Sequence, residues 1–217
     1  MRISKDVCTE IEKRLGHVPV IWDGKKAILE MKGNENRQWK QMEWIGFYFQ
    51  YLCEQYLKDI FKFQQPKYGN SAFDGFFKIP FDFKSHATNT SSHTIPVNDK
   101  EAIECAINDY GAVGLLVAIG DVVYNDENRM FQKWHDELKG SQTRYVRENK
   151  KRGAWSRLRK CSLTLKQIVI IEITHDTLAR CGSFQRGFRN SDGSPRREKV
   201  SIDLEKLGAG LRHCIDF

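Results

Sequence analysis

Two stretches of this 217-residue chain are almost continuously apolar, Ala112 to Val123 and Gln167 to Thr174. A strand with one wet face alternates apolar and polar residues, so an unbroken run of this length requires cover on both faces. The chain must therefore supply helices or a second layer for each side of a central sheet. Helical patterns do recur between the apolar runs. Together they predict a single α/β domain over residues 1–217, with a central mixed β-sheet flanked by helices on both faces.

The periodicity places the other elements. Val7, Ile11 and Leu15 stand at helical spacing behind Ser4, a candidate N-cap. Val18–Trp22 and Ala27–Met31 read as two strands around Asp23-Gly24, a hairpin signal. Arg37 to Ile60 reads as one long helix, with Trp39, Met42, Ile45, Phe49, Leu52, Tyr56 and Ile60 on a wide apolar face. Phe73–Lys84 has strand character, as a hairpin or two short strands, and Ser85–Asn98 reads as a polar loop. Asn98 or Asp99 then caps a helix to about Asp109, and Glu127–Leu138 is a further helix. Arg180–Arg197 reads as loop, and Val200–Leu204 as a short final strand.

Several classes are excluded at this level. No apolar stretch approaches the roughly 18 residues that a membrane span needs. The first residues carry charges and no apolar core, so a signal peptide is not expected and the expected location is cytoplasmic. The six cysteines are scattered singly, which offers no zinc-finger spacing and predicts reduced thiols. There is no phosphate-binding G-x-x-x-x-G-K-[ST] loop, no dinucleotide fingerprint, no G-x-S-x-G elbow and no paired-histidine metal motif.

The net charge of +7 is unevenly placed. Between Lys139 and Lys160, the cations Lys139, Arg144, Arg147, Lys150, Lys151, Arg152, Arg157, Arg159 and Lys160 face one acid, Glu148. Arg180, Arg186, Arg189, Arg196, Arg197 and Lys199 form a second group with Asp192 and Glu198. These segments, about 139–160 and 180–199, read as loop-rich. Their arginines, interleaved with Trp155, Phe184 and Phe188, are the footprint expected for a polyanion.

Chemistry concentrates in Asp74-Gly-Phe-Phe-Lys-Ile-Pro-Phe-Asp82-Phe-Lys84. Strand side chains alternate, so Asp82 and Lys84 share one face while Phe81 and Phe83 take the other. If residues 75–81 fold back tightly, the Asp74 carboxylate reaches the same point as Asp82. Two converging carboxylates suit a hard cation such as Mg²⁺, and the adjacent ammonium suits orienting an attacking water. Hydrolysis of a phosphodiester needs those parts.

The pattern resembles the PD-(D/E)xK nuclease superfamily and, at this length, a type II restriction endonuclease. Asp74 matches the first acid of that motif, and Asp82-Phe83-Lys84 matches its D-x-K element. Phe73 stands where the family often has proline, and the acids are closely spaced. The resemblance implies a restriction-endonuclease-like fold, Mg²⁺ as cofactor, Asp74 and Asp82 as metal ligands, and Lys84 as the residue that positions the water. It also implies an acid on the preceding helix, for which Glu43 is the first candidate and Glu54 the second. A homodimer acting on double-stranded DNA is the implied assembly.

Candidate DNA contacts are His86 and Asn89 just past the active strand, with Arg144, Lys150, Lys151, Arg152 and Arg157 for phosphates. Arg189, Asn190, Arg196 and Arg197 have the side-chain inventory for reading bases. Two alternatives stay open: a structure-specific repair or recombination nuclease, and a nucleic-acid-binding protein without catalysis.

Overall fold

The computed structural model describes residues 3–63, 73–125, 128–142, 144–153, 157–187, 189 and 193–217. The two apolar runs form its centre. β6 (Val113–Tyr124) and β7 (Lys160–Ile173) pair antiparallel along most of their length. β7 begins seven residues before the apolar run, because its first half is covered on one face alone, with Leu163 and Leu165 buried and Thr164 and Lys166 exposed.

On the other side of β6 lies β4 (Ile79–Ala87), parallel to it, followed by β3 (Gly75–Phe77) and β2 (Lys62–Phe63). The far side of β7 is shared by β1 (Ile21–Asp23) and the C-terminal β10 (Arg212–Asp216). This is the mixed sheet that the sequence predicted, and both faces are covered. One face packs on α1 (Lys5–Leu15), α2 (Gly24–Gly33), α3 (Trp44–Tyr56) and α5 (Met130–Lys139), through Phe81, Phe83, Leu116, Ala118, Leu165, Ile168 and Ile170. The other presents Leu115, Val117, Val169 and Ile171 to α4 (Lys100–Tyr110), α7 (His175–Cys181) and a small sheet. That small sheet has the order β5 (Thr94–Asp99), β9 (Lys199–Asp203), β8 (Gly182–Gln185).

Several local expectations are corrected. Asp23-Gly24 makes no hairpin: the Asp23 carboxylate accepts from Lys26 N at 2.9 Å and caps α2, whose Ala27, Ile28 and Met31 are buried at helical spacing. The long helix predicted over 37–60 is divided. A short 3₁₀ turn (Arg37–Lys40), capped by Asn36, buries Trp39 before α3 starts at Trp44. The polar stretch 85–98 is largely strand, since β4 runs on to Ala87 and β5 begins at Thr94. The basic segment 139–160 contains a helix, α6 (Arg144–Lys151), and Arg180–Gln185 belongs to α7 and β8. No helix among the described residues is long and apolar enough to cross a membrane.

β4 lies tightly against β6 at the point where the site begins. Phe81 pairs with Gly114, and a Cβ on Gly114 would lie 2.1 Å from the fully buried Phe81 ring. Gly114→Ala should therefore cost about 2–3 kcal/mol through overpacking. Urea unfolding would measure it, and a loss under about 0.5 kcal/mol would mean that the β4–β6 contact is not as tight as described.

Candidate active site

The site depends on a sharp reversal. Phe77 pairs with Ile79, leaving Lys78 alone at the turn with φ 63°, a left-handed conformation. The returning strand brings Gly75 opposite Phe81 and sets Asp74 just beyond the end of the β3–β4 ladder. There the Asp74 carboxylate accepts a hydrogen bond from Phe83 N at 2.7 Å, satisfying a strand amide that β3 is too short to reach.

Alternation then orients the rest. Phe81 and Phe83 enter the core beneath α3, and Asp82 and Lys84 project from the opposite face. Lys84 Nζ stands 3.0 Å from Asp82 Oδ2 and 3.9 Å from Asp74 Oδ2. The three residues singled out from the sequence thus meet at one point on the open edge of β4.

Their electrostatics are those of a charge cluster withdrawn from water. Asp82 is 2% exposed, and its Oδ2 accepts no hydrogen bond of good geometry although Lys84 lies within ion-pair distance. Burial pushes the Asp82 carboxyl up to about 7, against the opposing pull of Lys84 and with the Asp74 charge adding to the rise. For Lys84, burial favours the neutral amine, but Asp82 and then Asp74 outweigh it and its pKa is raised. Lys84 is thus the cation that faces both acids, and the buried Asp82 Oδ2 has it within ion-pair distance without a well-aligned hydrogen bond.

A third acid comes from the helix. α3 runs against β4: Gly46 lies beside Ser85, and the Phe49 ring packs on Phe83 at 6.5 Å. The far end of α3 consequently arrives at Asp74, bringing Glu54. Burial first, then the Asp74 charge, lifts the Glu54 carboxyl to about 7, while Gln50 donates to it at 3.4 Å.

Glu43, preferred from the sequence, is not brought to this point. It precedes the first residue of α3, roughly 16 Å along the helix from Glu54. There it ion-pairs with Lys160 at 3.2 Å. Separating the two required knowing which way α3 crosses β4, which the packing of Phe49 on Phe83 shows and no local sequence signal gives.

The candidate DNA contacts divide. Lys150 and Lys151 end α6, and Arg152, Arg157 and Arg196 are exposed, all without an ion pair among the described residues. Arg144 lies in the first turn of α6. Arg197 binds Asp99 at 3.1 Å, and Arg189 donates to Gly193 O at 2.8 Å, so both are engaged internally. Asn89 is structural: its amide donates to Val122 O at 2.8 Å and accepts from Val122 N at 3.2 Å, extending the β6 ladder like a strand residue. Asn190, Trp155 and Phe188 lie outside the described residues. His86 continues the Asp82–Lys84 face of β4 and is half-buried.

No protein-family profile matches the sequence, and no curated protein matches it. Among solved structures, the chain is similar to the crystal structure of the restriction endonuclease BglI bound to its DNA recognition sequence. The identity is 10%, with 97% of this chain and 86% of that chain covered and a TM-score of 0.39. A likeness at this level assigns no function, which has to come from the geometry of this chain's own residues.

Glu54 offers a direct check of the electrostatics. Its folded pKa is above its unfolded value, so the folded state binds more protons between roughly pH 4.5 and 7. Stability contributed by this group is therefore lost as pH rises through that window. Glu54→Gln should stabilise the metal-free protein by about 1–3 kcal/mol at pH 8 and by almost nothing at pH 4.5. Urea unfolding across pH measures the difference, and one that does not change with pH would refute the assignment.

Proposed function

We propose that the protein is a Mg²⁺-dependent type II restriction endonuclease, hydrolysing phosphodiester bonds in duplex DNA at a specific sequence. The observation that carries this is the meeting of Asp74, Asp82 and Lys84 on one strand edge, with the buried Asp82 carboxylate within ion-pair distance of one ammonium. A buried acid pair costs stability unless cations compensate it, and one ammonium can neutralise only one charge when both acids are ionised. Such strain is kept where the missing charge arrives with a ligand.

The donor set fits magnesium. Mg²⁺ takes hard oxygen ligands and is held by one or two carboxylates together with waters and substrate phosphate. Asp74 and Asp82 supply that pair. Among the described residues no group of three metal-ligating side chains is assembled, and Glu54 is placed to act on the pair through Asp74. When bound, Mg²⁺ would neutralise phosphate charge and acidify a water.

The chain's own residues do the rest. Lys84 is the cation within 4 Å of both carboxylates, so its ammonium is set to hold a water or a phosphate oxygen in line with the bond to be broken. Asp74 does two jobs, since the oxygen that accepts from Phe83 N fixes the carboxylate's orientation while the group faces Lys84. Phe81 and Phe83, packed under α3, keep β4 rigid so that the three groups do not drift. Lys150, Lys151 and Arg157, without an ion pair among the described residues, supply positive surface for the phosphate backbone.

One such cluster per chain cuts one strand, which supports a homodimer on a two-fold symmetric site. Plasmid DNA incubated with the protein and Mg²⁺ should yield discrete fragments with uniform ends. Lys84→Ala and Asp82→Asn should lower the cleavage rate by roughly 10³-fold or more, about 4 kcal/mol of barrier, and still bind DNA. Intact plasmid across metals and salts would refute the proposal. Cleavage only of branched or mismatched DNA would replace site-specific cutting with structure-specific cutting.

A further inference from the structure

β4 does not stop at the acid–lysine cluster. Two residues beyond Lys84 on the same face stands His86, and the strand rise puts it roughly 7 Å further along. The ring is half-buried, yet among the described residues it has no hydrogen-bonding or ion-pair partner. Without a protein partner among the described residues, its ring nitrogens are open to a ligand that lies along this face.

Burial is the main reason that the His86 pKa falls below the usual imidazole range, with His93 and Lys160 adding to the effect. Each of those neighbours has an acidic partner, Glu205 for His93 at 3.3 Å and Glu43 for Lys160 at 3.2 Å. His86 thus continues the Asp82–Lys84 face of β4, with the Lys160 side chain near enough to act on it.

The spacing matches a polyanion in extended register. Phosphates of one DNA strand rise about 3.4 Å each along the axis, and the turn of the helix brings the distance between neighbours to roughly 6–7 Å. We propose that His86 donates a hydrogen bond to the phosphate next to the scissile one, so that the DNA strand runs along β4 with consecutive phosphates at Lys84 and His86. This deepens the nuclease proposal and rests on it. Its consequence is that the cut position is set by two contacts on a single rigid strand, so loop movement does not shift it. The neutral ring suits the task, because it supplies an N–H donor without competing for the cation beside Asp82.

The test uses a duplex spanning a cut site identified by plasmid digestion, with Ca²⁺ replacing Mg²⁺ to hold the complex uncut. Single phosphates on each side of the scissile one are replaced in turn by uncharged methylphosphonate. Wild-type protein should lose affinity roughly tenfold at one neighbouring phosphate, the size of a hydrogen bond to a charged group. His86→Ala should bind unmodified DNA about tenfold more weakly and lose nothing further at that phosphate. Its salt dependence should match that of wild type, because a neutral ring releases no counterion. His86→Gln, which keeps an N–H donor and guards against misfolding, should restore part of the loss. If wild-type protein cuts plasmid but His86→Ala and His86→Gln keep the wild-type methylphosphonate profile, this inference alone is refuted. If wild-type protein cuts no DNA, the nuclease proposal fails and takes this one with it.

Discussion

The Asp74 carboxylate, held 2.7 Å from the Phe83 amide, ties the end of a three-residue strand to the edge of the strand that bears Asp82 and Lys84. Without that bond the Phe83 N–H would be an unpaired donor at a partly buried edge, a loss of about 1–3 kcal/mol. With it, a residue eight positions upstream is delivered to the same point as Asp82. The contact therefore has a structural and a chemical consequence at once. It closes the ladder, and it sets a second carboxylate facing one lysine.

The rest of the fold makes this arrangement stiff. β4 is parallel to β6 and so tightly opposed that only glycine fits across from Phe81. α3 seals the other face through Phe49, so the backbone carrying the acids is clamped between a helix and a buried strand. Burial on that scale is what raises the Asp82 and Glu54 carboxyls, since taking a charge out of water disfavours it unless another charge compensates. The same rigidity carries His86 outward at a fixed spacing from Lys84.

Much of this was legible in the sequence, for identifiable reasons. The runs at 112–123 and 167–174 could only be strands covered on both faces, and they are the two central strands. Asp82 and Lys84 share a face by alternation alone, which needs no knowledge of the fold. Asp74 joined them only if the chain reversed between Gly75 and Phe81, and the structure places that reversal at Lys78. The failures have physical causes too. Asp23-Gly24 satisfies a hairpin rule and a helix-cap rule equally well, and only burial of Ala27, Ile28 and Met31 on one face decides between them. Asn89 and Arg197 carry base-reading side chains, yet Val122 and Asp99 claim them, and such partners lie far away in sequence. Glu43 and Glu54 sit on one helix, and its direction across β4 is a tertiary fact.

The central claim is that Asp74 and Asp82 form one cation site with Lys84 as its resident counter-charge. Isothermal titration of Ca²⁺ into the DNA-free protein, comparing wild type with Asp74→Asn, tests this most directly. The account predicts one saturable site per chain in wild type and its loss in the variant, although the variant amide keeps a carbonyl for Phe83 N and the fold survives. Equal binding by the two proteins, or none by wild type with or without DNA, would contradict it.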